Sequence, residues 1–189
     1  MQEKIRIAVI GCGRFSPFFM PLFKAHPFVE KVYVCDLKRE RAEAFAEKFD
    51  VEIIDSFEEA LSSDKVNAVA IFTQRFKHGP MVIDALKAGK HVYSAVPGAV
   101  SVDEIIEIEK LVRETRLTYS MGETGYYRAP AIFCRQEYAK GTFGKFAYGE
   151  AHYNHDIRNK KRALKAQVVR IGKLSQVFRR SSIRPILHP

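Results

Sequence analysis

Gly11 and Gly13, with Ser16 three positions further on, stand where the apolar run Ile5-Arg6-Ile7-Ala8-Val9-Ile10 gives way to an amphipathic segment. Strand, tight glycine turn and helix in that order form a cradle for the pyrophosphate of a dinucleotide. Gly11 permits the sharp turn. Gly13 lacks a Cβ, so backbone can approach phosphate, and Ser16 is small enough to keep helix and strand close. A helix N-terminus there presents unpaired N–H groups and the positive end of its dipole. A second run, Lys31-Val32-Tyr33-Val34-Cys35, ends in Asp36. That is about 20 residues beyond the last glycine, the spacing at which an acid holds the adenosine ribose hydroxyls. The alternative is a glycine turn in a βα unit that binds nothing.

The elements that must position these residues alternate along the first 121 positions. Candidate strands are Ile5–Ile10, Lys31–Cys35, Glu52–Ile54, Ala68–Phe72, His91–Tyr93 and Leu117–Met121. They are short, apolar and β-branched, as buried parallel strands are. Helical segments lie between them. Arg39–Phe49 puts Ala42, Phe45, Ala46 and Phe49 on one face, and Gly79–Ala88 ends at a C′ glycine, Gly89. Ser56 and Ser101 each precede a glutamate by three positions, the capping-box signature. The alternation predicts an α/β fold with a doubly wound parallel sheet. A further helix is expected over Tyr126–Lys140, packing through Ala131, Ile132, Tyr138 and Ala139. A turn at Gly141–Gly144 and a strand over Phe146–Tyr153 follow. One strand is not a domain, so it would open a second α/β unit of which this chain carries a fragment.

Composition bounds the reading. The 189 residues are 47% hydrophobic and 28% charged, an ordinary globular balance. No apolar run reaches the length of a membrane span. The first strand starts too early to leave room for a signal peptide. Cys12, Cys35 and Cys134 suit neither a disulfide framework nor a zinc site, so buried thiols in a reducing cytoplasm are expected. The net charge of +9 equals the nine basic residues of 160–189, a stretch with no acid. That stretch suggests either a segment for acidic surfaces or a disordered, non-native tail. Its near-absence of aromatics and of any recognisable module argues against nucleic acid. His152, His155 and Asp156 are close, yet strand alternation sends the two imidazoles to opposite faces, so no metal site is expected.

Taken together, these segments resemble the Gfo/Idh/MocA family of NAD(P)-dependent oxidoreductases. The resemblance is carried by Gly11-Cys12-Gly13-Arg14-Phe15-Ser16, by Asp36 with Arg41-Ala42 after it, and by Asn67-Ala68-Val69-Ala70-Ile71-Phe72-Thr73 followed by His78. Ala85-Leu86-Lys87-Ala88-Gly89-Lys90-His91-Val92 and Gly141-Thr142-Phe143-Gly144-Lys145 extend it. It covers about 1–156 and implies a Rossmann domain over 1–121. A linking helix and the first strand of a substrate domain would occupy 122–159, with a basic tail over 160–189. It also implies hydride transfer between a nicotinamide and a sugar-like or polyol substrate, and oligomers among full-length relatives. By resemblance Gly11, Gly13, Arg14 and Phe15 would line the pyrophosphate. Asp36 would take the ribose, with Thr73, Gln74 and His78 near the dinucleotide. Asp36 favours NAD because its carboxylate repels a 2′-phosphate, while Lys38 and Arg39 keep NADP possible.

Two departures qualify that reading. Where the family has Glu-Lys-Pro, this chain has Ala95-Val96-Pro97, so the lysine that would handle the hydroxyl proton is a valine. Tyr-Ser-x-Val-Pro resembles a variant of some branches, and Gly122-Glu123-Thr124-Gly125-Tyr126-Tyr127 has the same subfamily character. Family members also continue well beyond the strand at 146–153, so residues after about 158 read as sequence that follows a truncation. The alternative function is a non-catalytic dinucleotide-binding remnant.

Overall fold

The computed structural model describes residues 4–145, 148 and 150. The expected strand over 146–153, the histidines at 152 and 155 and the basic stretch 160–189 lie outside the described residues, Tyr148 and Glu150 apart. The chain falls into two compact units, Met1–Gln136 and Glu137–Pro189.

The first unit is a parallel sheet with helices on both faces. Its strands are β1 (Ile5–Ile10), β2 (Val29–Cys35), β3 (Glu52–Ile53), β4 (Ala68–Ile71), β5 (His91–Ser94) and β6 (Tyr119–Met121). Spatial order is β3-β2-β1-β4-β5-β6, with every pairing parallel. The chain winds outward from β1 to β3, crosses back, then winds the other way from β4 to β6. The winding reverses between β1 and β4. In open α/β sheets that point leaves a crevice at the carboxyl ends of the strands. Register makes those ends level: Ile10 pairs with Cys35 on one side and with Ile71 on the other. Gly11, Asp36 and Phe72 therefore leave the sheet at one height.

Both faces are buried because alternate residues of each strand meet a helical layer. Ala8, Ile10, Val69 and Ile71 pack with Val82, Leu86, Ile108 and Leu111. Val9, Val34 and Ala70 pack with Met20 and Phe45 on the other side. Each fully buried aliphatic side chain contributes roughly 1.5–3 kcal/mol, so these two layers fix the positions of the loops above them.

The helices are α1 (Met20–Ala25), α2 (Arg39–Phe49), α3 (Phe57–Ser62), α4 (Arg75–Lys87), α5 (Val102–Thr115) and α6 (Ala129–Ala139). Both expected caps form. Ser56 Oγ accepts from Glu59 N at 3.0 Å while Glu59 Oε2 accepts from Asp55 N at 2.8 Å. Ser101 Oγ accepts from the amides of Asp103 and Glu104 while Glu104 Oε2 accepts from Val100 N. None of the helices is long and apolar enough to cross a membrane, among the described residues.

Three details differ from the sequence expectation. Helix α4 starts at Arg75, not Gly79, and runs through Pro80. Pro80 is only six residues in, so it forfeits a single backbone bond. The missing Cβ of Gly79 leaves space that the Glu104 carboxylate and Ala99 of the adjoining segment occupy. The glycine loop leads into a short 3-10 turn, Ser16–Phe18, and then the six-residue α1, rather than one continuous helix. Pro17 and Pro21 interrupt it, so little macrodipole develops there. Finally, Tyr126–Lys140 is not one helix. A 3-10 turn at Gly125–Tyr127 precedes α6, with Arg128 extended between them. Of the expected packing residues, Ile132, Tyr138 and Ala139 are exposed and Ala131 is half-buried, because α6 offers no continuous apolar stripe. In the second unit Glu137 binds Lys140 Nζ and Thr142 Oγ1, which holds its carboxyl below the usual range.

Candidate functional site

The glycine loop is stitched to the end of β2 by three backbone-anchored contacts. Gly11 N donates to Cys35 O at 2.8 Å, Cys12 N donates to Asp36 Oδ2 at 2.9 Å, and Cys12 Sγ lies 3.7 Å from Cys35 O. Gly11 sits at φ +103°, and a Cβ there would stand 2.7 Å from Phe72 O. Only glycine allows this turn. At Gly13 the case is different: a Cβ would meet nothing within 4 Å and would point into open space. Among the described residues, the amides of Gly13, Arg14 and Phe15 have no acceptor. Three successive free donors beside a glycine suit an anionic ligand. Ser16 is completely buried, as its role as a close-packing residue requires.

Aromatic packing holds this loop down. The Phe19 ring packs tilted against Phe72 at 4.9 Å and Tyr93 at 5.7 Å between centroids, and the exposed Phe15 meets Phe19 edge-on at 5.0 Å.

A cleft of about 620 Å³ opens over the carboxyl ends of β1, β2 and β4. Gly11, Gly13, Asp36, Thr73 and Gln74 all line it. Arg14 and Phe15 are not among its lining residues; both are exposed on the loop that follows Gly13. His78 is not in the wall. It is 1% exposed, with Nδ1 2.7 Å from Pro97 O and Nε2 3.1 Å from Thr73 O. Its place is behind the cleft, bridging the segment after β4 and the segment after β5. The sequence pattern does not single out Ser56, Phe57, Lys77 or Met81 as cleft residues, yet all four line it. Ser56 was accessible in principle, since it follows the carboxyl end of β3 at the same edge. Lys77 was hidden by the four residues that α4 gains at its start.

Charge is distributed unevenly in the cleft. Arg39 is turned to Glu43 and Asp55, and these bonds raise its pKa. Lys38 and Arg41 remain as cations on the wall beside Asp36. Asp36 is itself half-buried, and its second oxygen accepts from Lys38 N at 2.9 Å. Burial, and then the charge of Asp36, push the Cys12 thiol up to about 12 and the Cys35 thiol up to about 11. Neither is a nucleophile near neutrality.

Beyond β5 and β6 the groups are self-engaged. Ser94 Oγ and Tyr119 Oη are 3.0 Å apart, and the lack of a Cβ at Gly122 leaves room for the Tyr93 hydroxyl. Burial raises the pKa of Tyr93 and Tyr119. The Glu123 carboxylate turns back to Gly125 N. Tyr126 and Tyr127 are exposed, with Arg135 stacked over the Tyr126 ring at 3.7 Å. Val96, in the place of the family lysine, is 41% exposed just before Pro97, across a cis peptide. Among the described residues no group of acids, histidines and cysteines could hold a metal ion.

Comparisons with known proteins agree with this geometry. A glycosyl hydrolase family 109 protein of Saccharopolyspora erythraea is 30% identical over 167 residues, covering 83% of this chain and 36% of the relative. An alpha-N-acetylgalactosaminidase of Shewanella oneidensis is 33% identical over 103 residues, covering 54% and 22%. The chain thus spans about a fifth to a third of the length of these curated relatives. Among solved structures, scyllo-inositol dehydrogenase of Lactobacillus casei with bound NAD(H) and scyllo-inositol shares the fold, with a TM-score of 0.69 at 18% identity over 76% of this chain and 43% of that one. A 3-ketoreductase of Actinomadura kijaniata in complex with NADP shares it with a TM-score of 0.67 at 24% identity over 74% and 43%. Residues 5–123 match the model of the oxidoreductase family with an NAD-binding Rossmann fold. With the glycine loop, Asp36 and the switch-point cleft in place, the chain belongs to the Gfo/Idh/MocA oxidoreductase family, and this segment is its NAD-binding Rossmann domain.

Proposed function

We propose that this chain supplies the dinucleotide half of an NAD(P)-dependent oxidoreductase acting on a sugar-like or polyol substrate. The observation that carries the reading is the run of acceptor-free amides at Gly13, Arg14 and Phe15, beside Asp36, at the sheet's switch point. Bound there, the nicotinamide dinucleotide supplies hydride donation or acceptance. The loop amides bind its phosphates and Gly13 allows their close approach. The unfilled lone pairs of Asp36 accept from the adenosine ribose, with Lys38 and Arg41 tolerating a 2′-phosphate. Thr73 and Gln74 orient the end of the ligand that leaves the switch point. The names of the relatives carry the substrate class: glycosides for the sequence relatives, an inositol for a structural neighbour.

The domain division proposed is a Rossmann domain to residue 121, a linking segment to 159 and a basic tail beyond it. Three free cysteines support a reducing, cytoplasmic setting. A second reading, cofactor binding without turnover, is favoured by Val96, which cannot move a proton. Calorimetric titration with NAD, NADH, NADP and NADPH tests the first step. Absorbance assays with inositols and hexoses then test turnover. Binding tighter for NADH than for NADPH, together with turnover, is expected of the oxidoreductase. Binding without turnover selects the second reading, and no binding by a folded chain overturns both.

A further inference from the structure

We infer that Asp36 is a positioning residue for the phosphate loop, in addition to any contact with ribose. The inference rests on the dinucleotide reading above. One bond is local: Lys38 N reaches Asp36 Oδ1 from two residues away, shaping the turn into α2. The other crosses 24 residues, from Cys12 N in the glycine loop to Asp36 Oδ2. A carboxylate bond to a backbone amide is charge-assisted and directional, so it fixes the peptide plane between Gly11 and Cys12. The Gly11 N to Cys35 O bond fixes the plane before it. With two successive planes tied to β2, the next three are held only within the loop, where Ser16 Oγ donates to Gly13 O at 3.4 Å, and the amides of Gly13, Arg14 and Phe15 stay free for an anion. Asp36 thus takes the first amide of the run and leaves the rest.

The geometry also permits both tasks at once. A carboxylate offers about four lone-pair positions. Cys12 and Lys38 use one on each oxygen, which leaves one on each for vicinal ribose hydroxyls. The chain folds the loop and reads the ribose with a single side chain. A ribose contact and a loop contact are therefore confounded in any simple Asp36 substitution.

They separate with a ligand that has the diphosphate but lacks the hydroxyls. The experiment titrates the full chain and Asp36→Ala with ADP and with 2′,3′-dideoxy-ADP, followed by NMR, with NADH as a reference. If Asp36 serves ribose alone, the substitution leaves dideoxy-ADP affinity unchanged, and that result overturns the inference. If Asp36 also sets the loop, dideoxy-ADP binding falls by about five-fold or more, and ADP binding falls further, a difference well resolved by titration. Asp36→Asn keeps one acceptor oxygen and falls between the two. Amide exchange on the wild-type chain decides the matter should either variant fail to fold. Cys12 N–H is then expected to be protected while Gly13, Arg14 and Phe15 exchange fast, becoming protected when dideoxy-ADP is added. Exchange at Cys12 as fast as at its neighbours overturns the inference. Wild-type chain that binds neither NADH nor ADP removes the dinucleotide reading itself, a separate outcome from NADH binding with an inert Cys12 bond.

Discussion

The carboxyl edge of the sheet has two halves built on opposite plans. Over β1, β2 and β3 the glycine loop is tied to the end of the neighbouring strand β2 and to Asp36, and free donors face outward: Gly13, Arg14 and Phe15 amides, with Lys38 and Arg41 beside them. Over β4, β5 and β6 the polar groups close on one another. His78 bridges Thr73 and Pro97, Tyr119 holds Ser94, Tyr93 stands over Gly122, and Glu123 caps Gly125. The first half is prepared for a ligand, and the second is braced. In the family resemblance the second half is where a lysine would face the reacting hydroxyl, and here Val96 stands there. On the proposed function, binding and chemistry would depend on different loops.

The two glycines of the loop test the first half most severely. Gly11→Ala places a Cβ 2.7 Å from Phe72 O at a φ of +103°, so backbone strain and a clash combine. A loss of about 3 kcal/mol or more in urea-unfolding free energy is expected. At Gly13 a Cβ meets no atom within 4 Å outside the adjacent residues, so the unfolding midpoint of Gly13→Val should stay close to wild type. On the proposed function the added side chain would stand where phosphate approaches, and NADH affinity should fall by about 100-fold, or 2.7 kcal/mol. If Gly13→Val unfolds the chain, or binds NADH normally, the first half is not the open ligand loop described.

How much of this was legible in the sequence follows the same division. The strands of the first half were readable because each is a β-branched run ended by glycine or an acid, and Asp36 falls at the expected distance from Gly13. The cleft residues of strand ends were readable for the same reason: parallel register levels Ile10, Cys35 and Ile71. Long-range polar contacts were not. No local pattern tells that Asp36 reaches back to Cys12, or that His78 is buried between two carbonyls. Gly79-Pro80 reads as a break, yet α4 passes through it because the proline lies near the helix start and the glycine admits Glu104. Pro17 and Pro21 were visible, but their combined effect is to leave α1 only six residues. Periodicity suggested a packing face on Tyr126–Lys140, whereas burial depends on what that face meets.

The brace in the second half should have a smaller effect on folding and little on the cofactor. His78→Phe keeps the ring volume but removes the ring N–H held between the carbonyls of Pro97 and Thr73 in a fully buried site. A loss of about 2 kcal/mol in unfolding free energy is expected, and His78→Asn, which can serve one carbonyl, should lose less. NADH affinity should fall by less than about five-fold, because none of the loops at Gly11–Phe15 or Asp36–Lys38 bonds to His78. A loss of binding comparable to that of Gly13→Val would join the two halves energetically and break the distinction drawn between them.

The thiols supply the finest test, because they report the burial and charge of the first half without any ligand. Cys12 and Cys35 are buried there, while Cys134 on α6 is exposed. With the folded thiols raised to about 12 and about 11, the native state holds protons that the unfolded chain releases from about pH 9. Their contribution to stability is complete below that pH and is lost as pH rises toward the folded values. Unfolding free energy of wild type should therefore decline more steeply above pH 9 than that of the Cys12→Ala, Cys35→Ala double variant, in which other alkaline titrations remain. Parallel slopes would mean that the thiols are not desolvated as the packing implies. Asp36 sharpens the comparison further, since its charge is the second cause of the shift at both cysteines. Asp36→Asn should shift both thiols part of the way back. Native-state alkylation of Cys12 at pH 9 should then quicken relative to wild type, while that of Cys134 stays the same. The Cys12 thiol, next to the free amide of Gly13, thereby reads the same carboxylate that holds the Cys12 amide.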